Sequence, residues 1–179
     1  MRESSKAALC GISAGLSVVI MMVTYLSPLL VYTAPPAAGL LIAFIDEELG
    51  GKRALGVWTA ISLLSVFLIA DKEAAVFFTL FFGWYPVLRP VLDGKIKNKV
   101  LRSVLKLVLY NLCLGTAVFI CAFVFMIDYS DFGEGGKIML ALFWCLFIVL
   151  LFIYDVFLDK MLAVYRLRLQ KRLRKLFGR

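Results

Sequence analysis

The chain has no histidine among its 179 residues. That absence removes the Ser-His-Asp and Cys-His nucleophile systems, histidine-ligated zinc and haem, and histidine proton relays. Charge is also scarce: 18% of residues are charged, against about 25% in soluble domains. The four cysteines, Cys10, Cys113, Cys121 and Cys145, all lie in apolar segments, where they read as small buried hydrophobes rather than a disulfide framework or a zinc site. No GxxxxGK[ST] loop is present to cradle a nucleotide phosphate. The sequence therefore reads as non-enzymatic, with no catalytic residue, cofactor or metal.

What remains is apolar. Hydrophobic residues make up 63% of the chain and the mean hydropathy is +0.94, the composition of an integral membrane protein. At about 20 to 25 residues per spanning helix plus short connections, this length predicts an all-α polytopic protein of six spans and no separate soluble domain. Apolar runs between charges place the spans at 7–30, 34–49, 54–70, 74–88, 103–127 and 138–158, so the membrane domain is 1–158. The N-terminal run begins like a signal peptide but extends to Tyr32, long enough for a retained first span. "DKEA" at 71–74 is the expected tight turn between the third and fourth spans.

Cations decide the orientation. Both ends in the cytoplasm leaves only Lys72 and Lys137, of 20 Lys and Arg, outside, as the positive-inside rule favours. A five-span reading would put the basic 89–106 loop and the basic tail on opposite faces. The net charge of +8 thus follows from topology and does not call for nucleic acid. The tail from 159 to 179 sets Leu162, Tyr165, Leu169, Leu173 and Leu176 at helical spacing between Arg166, Arg168, Lys171, Arg172, Arg174 and Lys175. It reads as a cytoplasmic amphipathic helix on anionic lipids of the inner leaflet, or as a docking element for a cytoplasmic partner.

Three consecutive carboxylates stand out in "TAPPAAGLLIAFIDEELGGKR", residues 33–53. A CAAX-type membrane protease carries a glutamate pair followed by arginine in the spacing EExxxR, but Glu47-Glu48 is separated from Arg53 by one residue too many, and such enzymes need intramembrane histidines. Asp46, Glu47 and Glu48 are instead expected to close the second span and pair with Lys52 and Arg53, which offsets the poor match of carboxylates to a helix C-terminus. Pro35-Pro36 suits the first turn of that helix, and Gly50-Gly51 its stop. Asp155, near the inner end of the sixth span, is expected to pair with Lys160 or with the 89–106 loop.

On the first span Ala7, Gly11 and Gly15 repeat every four residues, a stripe that lets another helix approach closely, either within the bundle or from a separate subunit. At the outer mouth, Tyr32, Thr33, Asp71, Lys72, Glu73, Asp128, Tyr129 and Asp131 come from three loops. With Trp84 and Tyr85 of "FFGWYP" as an aromatic wall, they form a candidate site for a small polar molecule.

The opening "KAALCGISAGLSVV" with its small-xxx-small stripe, the proline- and glycine-bearing "PPAAGLLIAF" and the six-span layout together resemble the S components of energy-coupling factor (ECF) transporters, bacterial membrane proteins that capture vitamins and metals. The resemblance implies a substrate-binding subunit of an ECF-type ABC transporter in the bacterial plasma membrane. Ala7, Gly11 and Gly15 would then dock on a T component powered by two ATPase subunits, with the outer loops as a substrate lid. The competing class is a non-transporting scaffold or regulatory membrane protein that recruits partners through the first helix and the basic tail.

Overall fold

The computed structural model describes residues 3–27, 29–96, 98–124 and 136–169, of which 136–140, 168 and 169 are described as backbone alone. Every regular element among them is helical. Helix α1 is Glu3–Met22, continued by a 3-10 turn Val23–Leu26; α2 is Leu30–Leu49 and α3 is Gly51–Leu68. Helix α4 is Lys72–Lys95, interrupted by a π turn at Phe78–Phe82. Helix α5 is Lys99–Phe123, and α6 is Gly136–Val164, followed by a second π turn Tyr165–Leu169. Six helices are long and apolar enough to cross a membrane, which is compatible with a multi-pass membrane protein. Leu63, Phe67, Leu112, Phe119, Leu146 and Ile153 are exposed, whereas Arg89 and Lys106 are buried. Apolar side chains outside and charges within is the arrangement a lipid solvent permits and water does not.

The helix termini define two ends of the bundle. The start of α2 and the α3–α4 turn share one end, where Tyr32 reaches Glu73. The start of α1, the end of α2, the α4–α5 turn and the end of α6 share the other. Helix α2 packs most extensively on α4 and next on α1. Helix α4 is the central rod, with 56% of its most apolar window buried against 22% for α1 and for α6.

Several expectations need correcting at this level. Pro35 and Pro36 do not open α2: the helix begins at Leu30 and both prolines lie inside it, where neither has an N–H to give the carbonyl four residues back, that of Val31 or Tyr32. The 89–106 stretch is not a loop. Helix α4 runs on to Lys95 and α5 begins at Lys99, capped by the Asn98 side chain, which accepts from the Val100 N–H at 3.1 Å. The last helix does not pause at 158 but continues unbroken to Val164. Gly50 does stop α2, at φ 86° with its N–H on the Asp46 carbonyl at 2.9 Å, a backbone conformation glycine reaches without strain.

The centre of the fold follows from carbonyl accounting. The π turn is closed by the Gly83 N–H on the Phe78 carbonyl at 2.8 Å. Two indoles then serve the neighbouring carbonyls: Trp58 of α3 donates to Thr79 O at 3.3 Å, and Trp84 to Leu80 O at 2.6 Å. Pro86 has no N–H to give the Phe82 carbonyl four residues back, and that carbonyl faces Gly39 of α2. A Cβ at Gly39 would overlap the carbonyl oxygen and stand 2.6 Å from the Tyr154 hydroxyl. The crossing of α2, α4 and α6 therefore depends on a residue without a side chain.

Candidate functional site

Two features stand out, one at each end of the bundle. At the first end an open cavity of about 440 Å3 is lined by Thr24, Tyr25, Leu26, Ser27, Val31, Tyr32, Ala70, Asp71 and Glu73. The 3-10 turn after α1, the first turn of α2 and the α3–α4 turn supply these residues. The Tyr32 hydroxyl donates to Glu73 at 3.3 Å, while its ring lies 6.0 Å from that of Phe77 and 5.8 Å from that of Phe143. Thr24 turns its hydroxyl back onto the Met21 carbonyl at 2.9 Å. Lys72 sends its ammonium to the Val66 and Ile69 carbonyls, both at 2.8 Å, where it satisfies the end of α3 as a cation near a helix C-terminus does.

The structure thus brings together Tyr32, Asp71 and Glu73 of the residues expected at an outer site. Thr33 points away, its hydroxyl on the Leu29 carbonyl at 3.4 Å. Trp84 and Tyr85 are not a wall of this cavity. They lie more than two turns further along α4, because "FFGWYP" forms the π turn and the helix after it rather than a surface loop. Asp128, Tyr129 and Asp131 fall outside the described residues.

The second feature is a buried ionic cluster at the opposite end. Asp155 of α6 accepts at one oxygen from the Tyr85 hydroxyl at 2.6 Å and Arg89 Nε at 2.5 Å, and at the other from Lys106 Nζ at 2.9 Å. Tyr85 spends its proton on Asp155, so the 2.7 Å contact with Tyr110 is one in which Tyr110 donates. Asp93 lies 3.2 Å from Lys106, 3.5 Å from Arg102 and 3.8 Å from Arg89, and Arg89 also pairs with Asp159. Three carboxylates and three cations from α4, α5 and α6 balance in charge. Buried ions are tolerated when each is paired and hydrogen-bonded, and here Asp155 takes donors on both oxygens. The expected pairing of Asp155 with the 89–106 stretch is present through Arg89 and Lys106.

The extent of this cluster was missed in the sequence, although a signal exists. Tyr85, Arg89 and Asp93 repeat every four residues, as do Arg102, Lys106 and Tyr110, and Asp155 and Asp159. Each set occupies one helical face, and polar faces in apolar helices seek one another.

Two of the three carboxylates of α2, Glu47 and Glu48, have other partners than expected. Arg166 grips Glu47 in a bidentate pair at 2.8 and 2.7 Å, and the Tyr165 hydroxyl donates to Glu48 at 3.1 Å with its ring stacked on Phe44. Arg53 instead meets Glu3 at 3.0 Å. The acidic end of α2 therefore anchors the end of α6, and Arg166, expected at the lipid surface, is engaged within the protein. Lys171, Arg172, Arg174 and Lys175, and the side chain of Arg168, lie outside the described residues.

On α1 the stripe Ala7, Gly11 and Gly15 is exposed, and a Cβ at Gly11 or Gly15 would meet nothing within 4 Å. It is not used for packing inside the chain. With Gly56 and Ala60 of α3, Ala7 and Gly11 border an apolar groove of about 430 Å3 that ends at Glu3, Lys6 and Arg53. Among the described residues, no group of three or more Cys, Asp or Glu side chains is placed to hold a metal ion. No known protein family, curated protein or solved structure matches the chain.

Proposed function

We propose that the protein is a solute-binding membrane subunit, without ATPase activity of its own, that captures a small vitamin-like molecule in the cavity at Tyr32, Asp71 and Glu73. The reading follows the sequence resemblance to ECF S components. The observation that carries it is that three residues expected at a solute site, Tyr32 from one stretch of the chain and Asp71 and Glu73 from another, line one cavity of ligand-sized volume. Both chain ends lie in the cytoplasm of the bacterial plasma membrane and the cavity faces outward. The exposed α1 stripe, with the α3 groove beside it, is the surface for a T component and its ATPase subunits.

Purification from native membranes tests both halves. Small molecules carried through purification should be detected by mass spectrometry and lost in Glu73→Gln and Asp71→Asn. Gly11→Leu should leave the protein folded and still loaded, because a Cβ there meets nothing within 4 Å, yet should lose co-purifying ATPase and T subunits. Absence of both a bound molecule and these subunits in the unaltered protein would overturn the reading and favour the scaffold class.

A further inference from the structure

Helix α6 is attached to the bundle unevenly. Its second half buries Leu151, Tyr154 and Leu158, and is tied by Asp155 to Tyr85, Arg89 and Lys106. Just beyond it, Tyr165 and Arg166 bind Glu48 and Glu47. The half nearer the cavity is different. Between Ala141 and Leu150 the sole buried side chain is Phe147. Among the described side chains the contacts there are rings, Phe147 against Phe77 at 4.8 Å and Phe143 against Tyr32 at 5.8 Å, with a polar tie from Trp144 Nε1 to Asn111 at 3.0 Å. Ring pairs have preferred geometries but each adds little beyond its burial, whereas charge-assisted hydrogen bonds are roughly twice as strong as neutral ones and hold position.

We infer that α6 pivots on the ionic cluster, its cavity-end half swinging against α2 and α4, and that Tyr32 links this swing to the cavity. Tyr32 is placed for that role because one side chain does three things: it lines the cavity, donates to Glu73 and packs on Phe143. A molecule that takes the place of the Tyr32 hydroxyl on Glu73 releases the ring that α6 rests on. The inference needs the cavity and the cluster but not the transport assembly, so it stands or falls separately from the proposed function.

Spin-label distances in the full-length, cysteine-free protein in lipid nanodiscs test it. One pair sits at the exposed Leu29 and Leu142, near the cavity, and the other at the exposed Lys52 and Lys160, near the cluster. The Leu29–Leu142 distribution should be the wider. Tyr32→Phe, which keeps the ring and loses the bond to Glu73, and Phe143→Ala should both shift it to longer distance and leave Lys52–Lys160 unchanged. Equal widths at the two pairs, or equal shifts in either variant, would overturn the pivot. A wide Leu29–Leu142 distribution that Tyr32→Phe does not move would overturn the role given to Tyr32.

Discussion

At the scale of single residues, two buried tyrosines one helix apart carry opposite expectations. Tyr85 donates to a carboxylate and accepts from Tyr110, whereas the Tyr154 hydroxyl is buried with no partner among the described residues. A hydrogen bond to a charged group contributes about 1.5–3 kcal/mol, and a buried unpartnered hydroxyl costs about 1–3 kcal/mol. Tyr85→Phe should therefore lower the thermal midpoint in detergent clearly, while Tyr154→Phe should leave it unchanged or raise it. Equal losses would mean that the Tyr154 hydroxyl has a partner, and an unchanged midpoint in Tyr85→Phe would mean that the cluster does not depend on Tyr85. The sequence reading recognised Asp155 because a carboxylate in an apolar run is conspicuous. It took Arg89 and Lys106 only as part of a basic 89–106 stretch that could pair with Asp155, because cations at a span boundary have a ready explanation in topology, and that explanation says nothing about which way they point. Glu47 and Glu48 were assigned the nearest cations in sequence, but backbone geometry turns Arg53 toward Glu3 and gives the carboxylates to a residue more than a hundred positions away.

At the scale of elements, hydropathy was enough to locate six helices, and their ends were misjudged where helix propagation outlasts hydrophobicity. Helix α4 continues through Arg89 and Lys95, and α6 passes Asp159 and Lys160, because paired charges do not interrupt backbone hydrogen bonding. The π turn at Phe78–Phe82 was illegible, since it arises from how α4 meets its neighbours and leaves no periodic mark in a run of phenylalanines. It has a consequence for the site: an extra residue within a turn rotates everything beyond it by about 100°, which sets the face on which Tyr85, Arg89 and Asp93 lie. Trp58 supports that turn from α3 through the Thr79 carbonyl. Trp58→Phe leaves a smaller ring and orphans the Thr79 carbonyl, which alone costs about 1–3 kcal/mol. The variant should be less stable than its parent, and the same substitution at the exposed Phe67 in reverse, Phe67→Trp, should be neutral in the same melt. A Trp58→Phe protein with an unchanged midpoint would show that the π turn does not rely on that indole.

At the scale of the molecule, the distribution of charge between the two ends carries an expectation of which way the cavity faces. Among described residues the cluster end carries Lys6, Lys52, Arg53, Arg89, Lys95, Lys99, Arg102, Lys106, Lys160, Arg166 and Arg168, whereas the cavity end carries Lys72 and, at the start of α6, Lys137. Several of these cations are ion-paired in the folded protein, Arg89 and Lys106 most completely. The positive-inside preference acts on the chain as its helices insert, before those pairs form, so pairing does not weaken it. The cluster end is thus expected in the cytoplasm and the cavity outside, reached directly by an extracellular solute. Single-cysteine labelling on a cysteine-free background reads this out: a membrane-impermeant maleimide added to intact cells should modify Ala70→Cys, exposed beside the cavity, and spare Asn98→Cys, exposed in the α4–α5 turn. Opening the cells should make Asn98→Cys reactive. The reverse pattern would place the cavity in the cytoplasm, where capture of an external molecule is impossible and the scaffold reading would have to take its place.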